Sequence, residues 1–386
     1  TSVFRAHLSA LALSFVALTT WAQQPQLTWI APPADRPDGR VIVYDISADG
    51  RIAAITVVVP GNPNLYYGYV LWRGKLEPVA ALPDKPLTFC YAISQDGFTV
   101  AGEVGRSWQP MLWDITNYTV LNTGGTFTDL SADGSVGVGL KYPPTPYRAF
   151  RWASGQIQDL GTLQGGNDSR AWGVSADGSI VVGQSLDSSN NWRAFRWTQQ
   201  TGMQNLGASV LIGTISFPYD HSEAWGISPD GNVIVGIAYN DPNEAVGFRN
   251  ILQGTRRVNI SLGDPPKGFT GVYPRRTNQD GSIIVGSMRK SNGSSRAMRW
   301  TEAGGLEDLN ETYANLLGEG EYLTAARDIT PDGRYIVGQG FKDGKWQGFI
   351  LDTGVCDLPA DVDGNGIVND QDLLQVLFEF GNRCGQ

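Results

Sequence analysis

Three stretches of the chain repeat one another: WGVSADGSIVVGQS from Trp172, WGISPDGNVIVGIA from Trp225 and RDITPDGRYIVGQG from Arg327. In each, small and apolar residues alternate on both sides of an Asp-Gly pair, the pattern of two strands joined by a tight two-residue turn. Along the whole chain the pattern has seven centres, at Asp49, Asp96, Asp133, Asp177, Asp230, Asp280 and Asp332. Their spacings are 47, 37, 44, 53, 50 and 52 residues, which suit four-stranded propeller blades and are too irregular for a stacked solenoid.

A third strand follows each hairpin: YGYVLW to Trp72, QPMLW to Trp113, YRAFRW to Trp152, WRAFRW to Trp197, AVGFRN to Asn250, SRAMRW to Trp300 and WQGFIL to Leu351. A more polar fourth strand comes next, as in KLEPVAAL, QIQDLGTL and GMQNLGAS. The fold class expected is all-β, a seven-bladed β-propeller of four-stranded blades. The seventh unit has no fourth strand after Leu351. The spare strand QLTWIAP, Gln26 to Pro32, is expected to fill that place and spare the ring an unpaired edge.

Composition agrees: 48 glycines, 12 tryptophans and only 17% charged residues mark a turn-rich β protein. A net charge of −9, with no run of Lys or Arg, argues against a nucleic-acid or anionic-membrane partner, since phosphate binding needs basic patches. Residues 1–22 read as a signal peptide. Arg5 and His7 precede an apolar stretch from Leu8 to Leu18, and Thr20 and Ala22 stand at −3 and −1 of a cleavage site after Ala22. No later apolar run is long enough to span a bilayer, so the protein is expected to be secreted rather than membrane-spanning. The domains are then the signal peptide 1–22, the propeller 23–355 and a short terminal module 356–386.

The segment RAFRWASGQIQDLGTLQGGNDSRAWGVSADGSIVVGQS, Arg148 to Ser185, resembles the HAF family of extracellular repeats found in secreted bacterial proteins. The likeness is close from Tyr147 to Leu206 and looser from Val41 to Asp352. Blade five departs from it with Asn250 in place of Trp, and blade six with Asn278 in place of the turn Ser. The resemblance implies a secreted propeller and brings no catalytic residues.

The recurring residues read as structure. Asp and Gly suit tight turns, and an Asp side chain accepts nearby backbone N–H bonds, so the seven turn aspartates are structural. In RAFRW the alternation sets Arg148, Phe150 and Trp152 on one face, with the tryptophans filling the space between blades. Arg151, Arg196, Arg249 and Arg299 recur beside that Phe or Met. They are expected to bond turn carboxylates or carbonyls across blades, because a buried Arg needs a partner. Cys90, in the apolar LTFCYAIS, reads as a small buried hydrophobe. The mature chain has one histidine, His221; its neighbours Asp220 and Ser222 are too close in sequence to face it as a triad. A glycosidase needs only two carboxylates across a cleft. Carboxylates clustered on one rim would mark an enzyme, and none beyond the turns would mark a scaffold.

The terminal module carries DVDGNGIVNDQDLLQVLFEFG, which fits a twelve-residue EF-hand-type loop. Asp361, Asp363 and Asn365 stand at positions 1, 3 and 5, and Gly366 makes the turn at 6. Ile367 offers its carbonyl at 7, Asn369 lies at 9 and Asp372 closes at 12, a set of hard oxygen donors for Ca²⁺. Cys356 and Cys384 bracket the module and are expected to pair, stabilising it by roughly 3–4 kcal/mol in the chain-entropy model. The loop and following helix resemble one half of a type I dockerin. A full dockerin has two loops with small hydroxylated residues at positions 10 and 11, where Asp370 and Gln371 stand here. The resemblance therefore implies the calcium site more directly than a cohesin-like partner. The function expected is a secreted, non-catalytic propeller that binds or scaffolds a protein or polysaccharide at the cell surface. The alternative is a secreted carbohydrate-active enzyme, a glycoside hydrolase or polysaccharide lyase, attached by the same module.

Overall fold

Each Ser-x-Asp-Gly unit closes the same hairpin by the same hydrogen bonds. In blade 1, Ser47 Oγ donates to Asp49 Oδ1 at 2.6 Å, the Arg51 N–H donates to the same oxygen at 3.0 Å, and the Ile52 N–H donates to Ser47 Oγ at 3.0 Å. Ser94 and Asp96, Ser131 and Asp133, Ser175 and Asp177, Ser228 and Asp230, and Thr330 and Asp332 repeat the hydroxyl-to-carboxylate bond. In blade 6, Asn278 Oδ1 accepts the Ile283 N–H at 2.8 Å, so Asn does the work of the missing Ser. The turn is wider than the two-residue one expected. Residues 48–51 separate Ser47 from Ile52, the Gly50 N–H bonds to Ser47 O at 2.9 Å, and within the turn only Gly50 takes a positive φ, 71°. Asp49 supplies its carboxylate, not a left-handed backbone.

The computed structural model describes residues 24–61, 64–79, 88–105, 108–114, 117–142 and 146–354. The signal segment 1–22, Cys356, Cys384 and the calcium loop Asp361 to Asp372 lie outside the described residues. Within 26–352 the described residues form seven sheets, six of them four-stranded and antiparallel throughout. Blades 1 to 4 and 6, and the inner four strands of blade 5, run in sequence order from the innermost strand outward. The seventh is completed by Gln26–Ile30, which pairs antiparallel with Lys345–Asp352 from Gln26↔Asp352 to Ile30↔Gly348. The expected closure by the first strand is thus what joins the ends of the ring.

Blade 5 differs from the expectation of four strands. The insertion ahead of it folds into a small hairpin, Val210–Ile212 and Ile215–Phe217, that adds to the blade's outer edge through a parallel pairing of Leu211 with Ile260. Asn250 explains why the Trp is missing there. Buried Asn250 donates to Asn259 at 2.8 Å, and Asn259 Nδ2 in turn holds Leu206 O and Ser209 O at 3.2 and 3.1 Å, anchoring the insertion.

The core lies between blades. Phe127, Phe150, Phe195, Phe248 and Phe349 are fully buried there. Facing them is the repeated glycine of the second strand. An added Cβ at Gly183 would stand 2.0 Å from Arg170 O and 2.9 Å from Phe195 Cε1, so only Gly lets the strands and the ring fit. The third-strand tryptophans behave unevenly: Trp197 and Trp300 are buried, but Trp72 is 49% exposed and fills no gap between blades.

The recurring arginines also divide. Arg151 Nε donates to the turn carbonyl of Gly178 in the next blade at 3.0 Å, and Arg249 grips Glu302 of the next blade at 3.0 and 3.4 Å. Arg299 instead bonds Glu307 and Tyr313 of its own unit. Arg196 has no hydrogen bond or ion pair among the described residues, and its Nε is buried without a partner. The inter-blade pairing expected of it is therefore absent; a carbonyl of the neighbouring turn, Asn232 O, is instead bonded by Arg257 at 3.0 Å. Replacing an unpaired, partly desolvated cation with an apolar chain relieves that cost. Arg196→Met is expected to leave stability within about 1 kcal/mol of wild type, or to raise it. Chemical denaturation checks this, and a loss above about 2 kcal/mol would mean that Arg196 is paired after all.

Candidate functional site

The innermost strand of every blade contains a β-bulge. Strand pairing skips one residue between Val43 and Asp45, Cys90 and Ala92, Phe127 and Asp129, and Ala171 and Gly173. It skips again between Ala224 and Gly226, Pro274 and Arg276, and Ala326 and Asp328. A bulge bends the strand and re-aims the extra side chain. Here the extra residues are Tyr44, Tyr91, Thr128, Trp172, Trp225, Arg275 and Arg327, and all seven line one cavity of about 430 Å³ in the channel. Thr126, Leu140, Tyr142, Glu223 and Arg276 complete its wall.

One sector of this wall is aromatic. Tyr44 packs edge-on against Tyr91 at 5.3 Å, and Trp225 stacks on Tyr273 at 6.2 Å. Trp172 Nε1 donates to Gln184 at 3.0 Å, and no ring or cation stacks on Trp172 among the described residues. Two cations of the wall lie over rings of this same sector. The guanidinium of Arg275 lies 5.0 Å from the Trp225 ring centre and that of Arg327 lies 5.4 Å from Tyr44. Both arginines are half-buried, and the buried Nε of each has no hydrogen-bond partner among the described residues. Burial, reinforced by the neighbouring Arg327, pushes Arg275 down to about 9, so it stays protonated at neutral pH.

Two carboxylates stand by. Glu223 accepts Trp225 Nε1 and the Tyr239 hydroxyl, each at 2.8 Å. Behind the wall, buried Glu103 accepts the Tyr142 hydroxyl at 2.7 Å. Burial lifts Glu103 to about 7, against the opposing hydrogen bonds from Tyr142, Thr126 and Tyr91.

Towards the turns the channel narrows to a second cavity of about 60 Å³, with Asp45, Asp129, Arg276 and Asp328 in its wall. These residues follow the bulges in sequence, and they hold neighbouring blades together. Asp45 accepts the Ile93 N–H at 2.8 Å, Asp129 the Val174 N–H at 2.9 Å, and Asp328 the Ile46 N–H at 3.3 Å. Arg276 donates to Trp225 O at 2.6 Å and lies 3.6 Å from Asp129. Carboxylates thus do gather beyond the turns, contrary to the simple scaffold expectation. They sit inside the channel, not on a rim, and satisfy backbone N–H groups of adjacent blades. Among the described residues no group of three or more His, Cys, Asp or Glu is placed to hold a metal ion.

The residues weighed from sequence lie away from this cavity. The turn aspartates ring the other end, each tied to its own turn. Cys90 is fully buried, and burial pushes its thiol up to about 12, far from a usable nucleophile. His221 Nδ1 accepts the Trp192 N–H at 3.2 Å and its ring stacks on Tyr239, while buried Ser222 donates to Gly207 O at 2.7 Å. No triad forms among Asp220, His221 and Ser222. The cavity residues themselves had a signal: each stands three places before the turn Ser, Asn or Thr, in a column of the repeat that changes from blade to blade and holds large or polar side chains.

Solved structures share this architecture at low identity. The oligogalacturonate lyase of Vibrio parahaemolyticus is 13% identical with a TM-score of 0.54, over 85% of this chain and 97% of that one. An oligogalacturonate lyase in complex with manganese is 14% identical with a TM-score of 0.54, over 86% and 97%. The propeller domain of the Trilobed protease from Pyrococcus furiosus is 10% identical with a TM-score of 0.50, over 82% and 96%. At such identities the likeness establishes the β-propeller fold. No protein-family profile matches the sequence. No curated protein is significantly similar to it. Among the described residues no helix is long and apolar enough to cross a membrane.

Proposed function

We propose that this chain is a secreted, non-catalytic binding propeller of the HAF type, whose ligand site is the bulge-lined cavity of the channel. The observation that carries the reading is the convergence of seven bulged side chains, one from each blade, on a single cavity of aromatic and cationic character. Binding sites are concave, mostly apolar and furnished with a few convergent polar groups. The carboxylates nearby are already hydrogen-bonded to the frame, and the described lining of the cavity contains no histidine, cysteine or serine. In this reading the terminal module, with Ca²⁺ held by Asp361, Asp363, Asn365, Ile367, Asn369 and Asp372 and stapled by Cys356 and Cys384, attaches the propeller to a surface or partner protein. A cohesin-like domain is one candidate partner.

The test is a binding screen of the mature protein on cell walls and polysaccharides, with and without EDTA. Wild type is expected to be retained on a glycan, and Trp225→Ala to release it without unfolding. EDTA is expected to abolish attachment through the terminal module and leave glycan retention unchanged. Retention that survives Trp225→Ala and Trp172→Ala would remove the cavity from the function.

One observation favours the enzyme alternative. Glu103, held at about 7, touches the hydroxyl of Tyr142 on the cavity wall, which is a suitable value for proton transfer at neutral pH. Release of reducing ends or unsaturated sugars by wild type, lost in Glu103→Gln, would establish it.

A further inference from the structure

The cavity wall has a definite charge. Arg276 is turned to Asp129 and to the Trp225 carbonyl, leaving Arg275 and Arg327 as cations without a carboxylate partner among the described residues. Against them stands one carboxylate on the wall, Glu223. Two cations facing one anion match a singly charged ligand, and Glu223 disfavours a more highly charged phosphate. A carboxylate between two guanidiniums gains charge-assisted hydrogen bonds to both; within the protein Arg327 has only the neutral Gln339 Oε1, at 3.4 Å, and the buried Arg275 Nε has no acceptor among the described residues.

The rest of the wall describes the body attached to that charge. Trp172 offers a ring with nothing stacked on it, and the hydroxyls of Tyr142, Thr126 and Thr128 keep acceptor lone pairs, as does Glu223. Such a surface receives a flat ring with C–H groups on its face and hydroxyl donors at its edge. We infer that the cavity takes a carboxylated sugar, its carboxylate between Arg275 and Arg327 and its ring against Trp172. This rests on the reading of the channel cavity as a ligand site and names the ligand's chemical class.

The full chain is titrated, by tryptophan fluorescence and calorimetry, with a glucuronate disaccharide in which one glucuronate is β-1,4-linked to glucose, so that it carries a single carboxylate, with cellobiose, which lacks only that carboxylate, and with benzoate and inorganic phosphate. The glucuronate disaccharide is expected to bind at least about 10-fold more tightly than the other three. Arg275→Gln and Arg327→Gln are each expected to weaken it about 10- to 100-fold, the range for a hydrogen bond to a charged group. Arg275→Lys should recover part of the loss. Should Arg275→Gln fail to fold, Arg327→Gln and Trp172→Leu carry the same comparison. Cellobiose binding as tightly as the acidic disaccharide overturns the inference and leaves the ligand-binding reading standing. Phosphate or benzoate binding equally overturns the sugar assignment. No response to the glucuronate disaccharide overturns the inference outright, whereas the wider reading fails only if the glycan screen does.

Discussion

A chain lacking residues 26–30 is expected to lose its cooperative fold, or to melt more than about 10 °C below wild type. The strand supplies five consecutive register pairs to Lys345–Asp352, from Gln26↔Asp352 to Ile30↔Gly348. Without it that strand becomes an edge, with unpaired backbone groups open to other chains. The side chains lost serve both neighbouring interfaces. Leu27 and Trp29 pack on the cluster of Phe349 and Leu351, with Trp29 edge-on to Phe349 at 6.4 Å, and Ile30 joins Val41 and Val43 of blade 1. Burying three such side chains is worth about 5 kcal/mol or more, as much as the whole margin of many domains. Trp29→Ala alone should cost about 3 kcal/mol while keeping the fold. Thermal and urea melts decide it; a truncated chain that melts within about 2 °C of wild type would mean that the ring does not depend on this closure.

The ring was legible in the sequence because its parts are set by backbone geometry. A Ser-x-Asp-Gly turn must carry certain side chains to satisfy its own N–H groups, and the second-strand glycine must lack a Cβ, so both recur as letters. The number of blades and the role of Gln26–Ile30 followed from counting those letters. What failed were statements that depend on contact. Arg151 and Arg196 occupy the same place in the repeat, yet one meets Gly178 O and the other meets no acceptor. Asn250 looked like a defect and is an anchor for a hairpin that makes blade 5 six-stranded.

The cavity was hidden for the opposite reason. Its residues are those the repeat does not fix: Tyr44, Tyr91, Thr128, Trp172, Trp225, Arg275 and Arg327 share a position but not a chemistry. A residue bulged out of the ladder is free of pairing constraints, so its identity answers to whatever fills the channel. Periodicity argues from what recurs, and so passes over such a column. The position is visible only once the bulges show that these seven side chains point inward together.

Stability should fall as pH rises from about 5 to 8, the reverse of a protein held by exposed ion pairs. The carboxyls of the channel region are raised. Burial lifts Glu103 from 4.5 to about 7 and Asp129 from 3.8 to about 6, and it raises Asp45 and Asp328, which face each other. A carboxyl raised in the folded state contributes stability that is complete below its unfolded value and lost as pH climbs through its folded value. The window for Glu103 is therefore about 4.5 to 7. The turn aspartates act at the other end. Asp133 is lowered by the Ser135 N–H and the Ser131 hydroxyl, and in Asp177 hydrogen bonds from Ser175 and Ser179 outweigh the effect of burial. Their contribution is present above the unfolded value near 3.8 and is lost as pH falls below it. Together the two sets place the optimum near pH 5, with Glu103 alone costing on the order of 2–3 kcal/mol by pH 8. Glu103→Gln keeps an acceptor for Tyr142 and cannot ionise. The variant should match wild type near pH 5 and exceed it at pH 8, flattening the curve of melting temperature against pH. A wild-type curve that rises from pH 5.5 to 8, or a variant with unchanged slope, would mean that Glu103 ionises in the folded state without penalty. In that case water must reach behind Tyr142, and the wall of the cavity would be open where the structure closes it.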